Sequence, residues 1–309
     1  MSGRLLTLLI LLTPGLVRAD ETYTRQPDVI YGRKDGTALT MDVFTPAEPN
    51  GAAVILVVSG GFYSSHDAVS PLLAGPLLKR GYTVFAVVHG SQPRYTVPEI
   101  VSDIDRSVRF IRSKAAEFGI DPDRIGICGA SAGGHLSLMQ GTAGTEGKPR
   151  SGDPVERASS RVQAVACFFP PTDFLNYGEA GNALVEPEDY GKPFRAAFDF
   201  RRRDPETNLW ISVEDPEERR EILREISPIT HVTPDDPPTL IIHGDADPLV
   251  PIQQSRTMLE VLKKAGIPTK LVEKPGAGHG WITLPLDMGL LADWFDEHLK
   301  KKADGHEKP

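Results

Sequence analysis

The sequence predicts an α/β domain in which a mainly parallel central sheet carries helices on both faces, and three observations support this. Short, continuously apolar runs recur at Ala53–Val58, Val84–Val88, Arg124–Cys128, Ala164–Phe169 and Thr239–His243. A strand that is apolar at every position must be covered on both faces, which is the situation of a strand inside a parallel sheet. Helical patterns separate most of these runs, and Gly, Pro and Asp bound them. Size agrees with this: 309 residues that are 40% hydrophobic and 25% charged, with only 2 Cys, can build a large core without disulfide staples. A formal charge of −8 gives no reason to expect a nucleic acid or an anionic membrane as partner. Neither a cofactor nor a metal site is expected.

Taken in order, Met1–Ala19 has a basic start at Arg4, an apolar run from Leu5 to Leu12, a break at Pro14 and Gly15, and small apolar Val17 and Ala19 before Asp20. This is the pattern of a signal peptide, and the run is too short for the roughly 20 residues of a membrane-spanning helix. A secreted or periplasmic protein starting at about Asp20, with no stable membrane insertion, is expected. Asp28–Gly32 and Leu39–Phe44 around the turn Arg33–Gly36 predict an N-terminal antiparallel hairpin. Pro98–Phe118 predicts one amphipathic helix, with Ile100, Ile104, Val108 and Ile111 on one face and Asp103, Asp105, Arg109 and Arg112 on the other, stopping at Gly119. Gly141–Arg161 predicts a surface loop. Residues 170–238 are too long for a plain connection and predict a partly helical cap inserted into a single domain spanning 20–309. Cys128 and Cys167, flanked by apolar residues, are expected as unpaired core thiols. The tail from Lys300 to Pro309 is expected to fray.

Gly129-Ala130-Ser131-Ala132-Gly133 spells GxSxG directly after an apolar strand and directly before a helix-like segment. Strand, sharp turn and helix are what a nucleophile elbow requires, with flanking glycines where backbone approaches backbone. Such a turn exposes the hydroxyl of Ser131 and aims the Ala132 amide where an oxyanion would form. The segment IDPDRIGICGASAGGHLSL is similar to the elbow region of α/β-hydrolase serine esterases of the acetyl-esterase, hormone-sensitive-lipase and bacterial feruloyl-esterase-like groups.

A serine hydroxyl needs an imidazole to take its proton and a carboxylate to orient that imidazole. The resemblance implies the chain order Ser, acid, His, with both partners on loops after later strands. His279 in GAGHGW satisfies order and setting. His243 ends a strand, and His298 and His306 lie in the final helix and tail. His135 is expected to face the core, while His66 and His89 follow strand ends. For the acid, Asp245 and Asp247 in HGDADPLVP are both within reach, and the family pattern D-x-x-V-P points to Asp247. Asp173 is expected to cap a loop.

The same resemblance places the remaining oxyanion donors at Gly61 and Phe62, beside Ala132. It also shows a departure, since Ser59-Gly60-Gly61-Phe62 stands where lipase-like enzymes carry an HGGG-type motif. Phe62, Tyr63, Phe168, Phe169 and Trp281 either wall an apolar acyl pocket or belong to the core. The function implied is a secreted serine carboxylesterase acting on small acyl esters, acetyl or feruloyl, on a small molecule or a carbohydrate. A prolyl-oligopeptidase-like peptidase is the enzymatic alternative, although the stretch between Ala19 and Ala53 cannot encode a propeller whose blades need about 40 to 50 residues each. A binding protein on a hydrolase scaffold is the other alternative.

Overall fold

All five apolar runs become strands buried on both faces: β3 (Ala53–Val58), β4 (Thr83–Val88), β5 (Ile125–Ala130), β6 (Ala164–Phe168) and β9 (Thr239–Gly244). The computed structural model describes residues 22–186 and 189–300. The segment 1–19, read above as a signal peptide, and the tail beyond Lys300 lie outside the described residues. The N-terminal hairpin is longer than expected, pairing β1 (Tyr23–Lys34) with β2 (Thr37–Pro46) around the left-handed Asp35 and Gly36. β10 (Thr269–Lys274) completes one edge, and a separate two-stranded hairpin is formed by β7 (Arg201–Arg203) and β8 (Trp210–Ser212).

The eight-stranded sheet has the order β1-β2-β4-β3-β5-β6-β9-β10. β1, β2 and β4 pair antiparallel and every pair from β4 to β10 is parallel. Alternation along each strand divides the interior into two cores. Ile55, Val57, Phe85 and Ile127 face the helices α2 (Val97–Ser113), α4 (Ala132–Ala143) and α6 (Gln253–Lys264). Val54, Leu56, Val84 and Ile242 face α1 (Pro71–Leu78) and α7 (Leu284–Leu299). Each such side chain contributes about 1.5–3 kcal/mol on burial. Cys128 and Cys167 fall in opposite cores, so the sheet itself separates the two free thiols. The arrangement is the α/β-hydrolase fold.

One local expectation needs correction. Pro98–Phe118 is not one helix: α2 ends at Ser113, Lys114 leaves the helical region, and the short α3 (Ala115–Phe118) follows before the left-handed Gly119. Apolar spacing continues across the break because Phe118 still packs on Phe85 and Phe110, which hides the kink from periodicity. The polar face of α2 is not a solvated face. Arg109 is 1% exposed, and Arg109 and Arg112 donate to backbone carbonyls of Glu146, Ala158, Ser159 and Arg161, supplying hydrogen bonds to a loop that has almost no ladder of its own. Among its described residues the insertion at about 170–238 holds the helix α5 (Pro216–Glu225), short 3-10 turns at Arg195–Phe198 and Pro228–His231, and the β7–β8 hairpin. Among the described residues no helix is long and apolar enough to cross a membrane.

Candidate active site

The GxSxG segment folds as a turn between β5 and α4, with Ser131 at φ 54° and ψ −119°. A non-glycine residue held there costs about 1–3 kcal/mol, so its surroundings must impose it. Ser131 N–H donates to Phe168 O at 3.0 Å. A Cβ on Gly129 would lie 2.5 Å from the backbone of Gly133, and one on Gly133 would lie 2.9 Å from Val57 O. Only glycines allow the strand, the turn and the helix to close this tightly.

The loops at the carboxyl ends of β9 and β10 bring Asp247 and His279 to the serine. The Ser131 hydroxyl donates to His279 Nε2 at 2.9 Å, and His279 Nδ1–H donates to Asp247 Oδ2 at 2.7 Å. The carboxylate acceptor fixes the tautomer, leaving Nε2 as the free base. Asp247 has a fully buried side chain. Burial alone raises its pKa, but contacts from His243 and His279 and the backbone N–H groups of Val250 and Leu249 overcome this and hold the carboxyl well below the usual range. Asp245 does not touch the imidazole. Its Oδ1 accepts from Gly276 N–H at 2.6 Å, which pins the loop that carries His279. Phe169, at a positive φ of 35°, packs its ring 4.5 Å from the imidazole.

His243 is a buried polar residue that the sequence reading set aside. Its Nε2–H faces Val250 O at 2.9 Å and Asp247 Oδ2 at 3.3 Å, while Nδ1 accepts from Ser255 at 2.6 Å. It lies four residues before Asp247, and that spacing at a strand end was the available signal.

Gly61 and Phe62 follow β3 with consecutive positive φ values of 55° and 64°, and with Ser131 and Ala132 they line one cavity. Among the described residues neither the Gly61 nor the Phe62 amide donates to a protein acceptor. Ala132 starts α4, so its N–H has no acceptor one turn back. Ser59, which stands where the motif's histidine would be, is met by an imidazole from elsewhere in the chain. His89, at the end of β4, places Nε2 2.8 Å from Ser59 Oγ and Nδ1 2.8 Å from Gly90 O. Burial lowers the His89 pKa to about 4, so the ring is neutral and accepts from the serine.

The cavity of about 260 Å³ is walled on the far side by the insertion, through Phe174, Tyr177, Leu184, Tyr190, Phe194 and Phe198. Of the five aromatics read as either pocket wall or core, Phe62 lines this cavity. Tyr63 lines a different apolar cavity against α1 and α7, Phe168 also reaches that cavity, and Trp281 packs edge-to-face on Phe168 and Phe169. The insertion is tied down by two buried side chains. Gln254 at the start of α6 accepts from the N–H groups of Thr172 and Asp173. Arg219 of α5, 4% exposed, donates to Val185, Val213 and Phe198 carbonyls.

Other candidates lie outside this constellation. Asp173 caps its own loop through Leu175 and Asn176 N–H. His135 faces the core against Phe62 and Phe174 and binds Ile226 O at 2.7 Å. His298 packs on Trp294, and His306 is outside the described residues. Among the described residues one group, Asp28, Asp42 and His66, brings metal-ligand atoms within 4.8 Å of one another, but Arg25 already pairs with Asp42 and Thr40 with His66.

The chain is 29% identical to a probable carboxylic ester hydrolase, LipM, of Mycobacterium tuberculosis over 87% of this chain and 60% of that protein. It is also 29% identical to the esterase LipC of the same organism, over 84% of this chain and 60% of that one. The chain thus spans about 60% of the length of these curated relatives. The structure of a truncated carbohydrate esterase from gut microbiota matches with a TM-score of 0.73 at 29% identity, covering 92% of this chain and 99% of that one. The BD-FAE family model matches residues 41–262, which include the elbow and Asp247, and the chain belongs to the BD-FAE family.

Proposed function

We propose that the chain is a serine carboxylic ester hydrolase acting on small acyl esters, of acetyl or feruloyl type, carried by a small molecule or a carbohydrate. The observation that carries this reading is the unbroken path from Asp247 through His279 to Ser131, opening beside two unpaired amides onto an apolar cavity. Ser131 Oγ attacks the ester carbonyl as its proton passes to His279 Nε2. The carbonyl oxygen becomes an oxyanion within reach of the Gly61, Phe62 and Ala132 amides, and Asp247 stabilises the imidazolium. The intermediate collapses to the acyl-enzyme as His279 returns the proton to the leaving alkoxide. A water, deprotonated by His279, then releases the acid and restores Ser131.

The modest cavity, below the roughly 300–1,000 Å³ of drug-sized sites, favours a small acyl group. The names of the relatives favour an ester over an amide, and the carbohydrate esterase neighbour favours a sugar-borne ester. The basic, apolar and small-residue order of residues 1–19 supports export of the mature chain. A substrate panel tests the whole reading: nitrophenyl esters from two to twelve carbons, acetylated xylan, methyl ferulate and a peptide nitroanilide. Turnover concentrated on the two- to four-carbon or feruloyl esters is expected, while hydrolysis of the anilide alone would make this a peptidase. Mass spectrometry of material exported from an expression host should show a chain starting near Asp20.

A further inference from the structure

Gln92 lies in the loop between β4 and α2, outside every motif considered above. Its residue is 3% exposed, and its side-chain amide reaches two carbonyls. Nε2 donates to Gly61 O in the oxyanion loop and, at 3.0 Å, to Pro193 O in the insertion. Both partners are acceptors, so only the NH₂ end of the amide fits there. The backbone N–H of Gln92 also donates to Phe62 O at 3.2 Å.

Gly61 O and Phe62 N–H belong to the same planar, trans peptide unit and point in opposite directions. A donor on that carbonyl therefore turns the N–H of Phe62 away from Gln92 and polarises it, because hydrogen bonds in series strengthen one another. The neighbouring unit is fixed in the same way, with Tyr63 N–H donating to Gly60 O at 2.9 Å opposite the N–H of Gly61. The insertion closes the arrangement from above. A Cβ on Gly61 would lie 2.6 Å from the Phe194 ring, next to the carbonyl of Pro193 that Gln92 holds. Gln92 leaves its own Oε1 buried without a protein partner.

We infer that Gln92 is a positioning residue for the oxyanion hole, a strut that ties the Phe62 amide donor to the insertion over the cavity. This rests on the esterase reading above. It makes the insertion part of the catalytic geometry as well as a wall of the pocket.

The test compares wild type with Gln92→Met, which keeps the side-chain length and removes the donor, after thermal melting confirms folding. Gln92→Leu, which likewise has no donor toward Gly61 O, serves if the methionine variant unfolds. Removing a direct oxyanion donor lowers kcat about 10²–10³-fold, so loss of its support should lower kcat about 10- to 100-fold on nitrophenyl acetate with KM within about threefold. Affinity for a trifluoromethyl ketone, whose adduct with Ser131 is a tetrahedral oxyanion, should fall by the same factor as kcat/KM. A Gln92 variant matching wild type in kcat and ketone affinity, or altered only in KM or melting temperature, overturns the inference while leaving an active, fluorophosphonate-labelled wild type as an esterase. A wild type inert toward both ester and fluorophosphonate overturns the esterase reading and this inference with it.

Discussion

The two sides of the cavity are built by different means. On one side Ser131, Asp247 and His279 stand at the carboxyl ends of β5, β9 and β10, and each is fixed by backbone: the forced turn at Ser131, the Leu249 and Val250 N–H groups on Asp247, and the Gly276 loop pinned by Asp245. On the other side the described residues of 171–198 form no strand, and side chains add to their turns, with Tyr190 stacked on Phe198 at 3.8 Å and Arg219 collecting three carbonyls. Backbone fixes atoms to within tenths of an ångström, which proton transfer needs. Aromatic packing fixes volume and shape, which choice of acyl group needs. Changes on the first side should therefore act on kcat, and changes on the second on selectivity and stability.

The largest contrast should come from the two aspartates of one loop. Asp247→Asn leaves the geometry but no longer holds the imidazole in the correct tautomer, and kcat on nitrophenyl acetate should fall about 10³–10⁴-fold. Asp245→Asn touches only the Gly276 loop and should stay within about tenfold. Equal losses would mean that the loop, rather than the carboxylate, is what matters. Next comes the strut of the insertion. Arg219→Met strands three buried carbonyls and should cost about 3 kcal/mol of stability by denaturant titration, with kcat/KM for acetate within a few-fold. Leu184→Trp, filling the cavity from the insertion side, should lower the hexanoate-to-acetate ratio of kcat/KM about tenfold with little effect on acetate itself.

A further contrast is in acid stability. Burial lowers the pKa of His135 to about 4. The unfolded chain protonates this histidine near pH 6.5 and the folded chain does not, so stability should fall as the pH drops from about 6.5 to about 4. His135→Gln, which can keep a donor toward Ile226 O, should reduce that slope by up to about 1.4 kcal/mol per pH unit. Unfolding measured at pH 4.5, 5.5 and 7 checks this.

The scaffold side was legible in the sequence because its constraints are local. Gly129 and Gly133 flank a strained serine, and an all-apolar strand announces its own cover. Asp245 and Asp247 could not be separated from residues alone, since both sit on the same loop and only its three-dimensional course decides which reaches His279. The insertion was legible in extent but not in content. Phe174, Tyr190, Phe194 and Phe198 are spaced without period, and their meeting at the cavity depends on Arg219 and Gln254, far away in sequence. His243 and the Ser59–His89 pair were missed for a related reason: a histidine at a strand end looks like core until its partner is known, and the imidazole facing Ser59 comes from a different strand.

The central claim is that Ser131 carries the acyl group. Incubation with a fluorophosphonate followed by intact-mass and peptide analysis, in parallel with a stopped-flow record of nitrophenyl acetate hydrolysis, tests it most directly. One adduct per chain on the Ser131 peptide, a burst of nitrophenolate, and loss of both in Ser131→Ala are the expected results. Undiminished turnover by Ser131→Ala, or an adduct on any other residue of an active enzyme, would contradict the account.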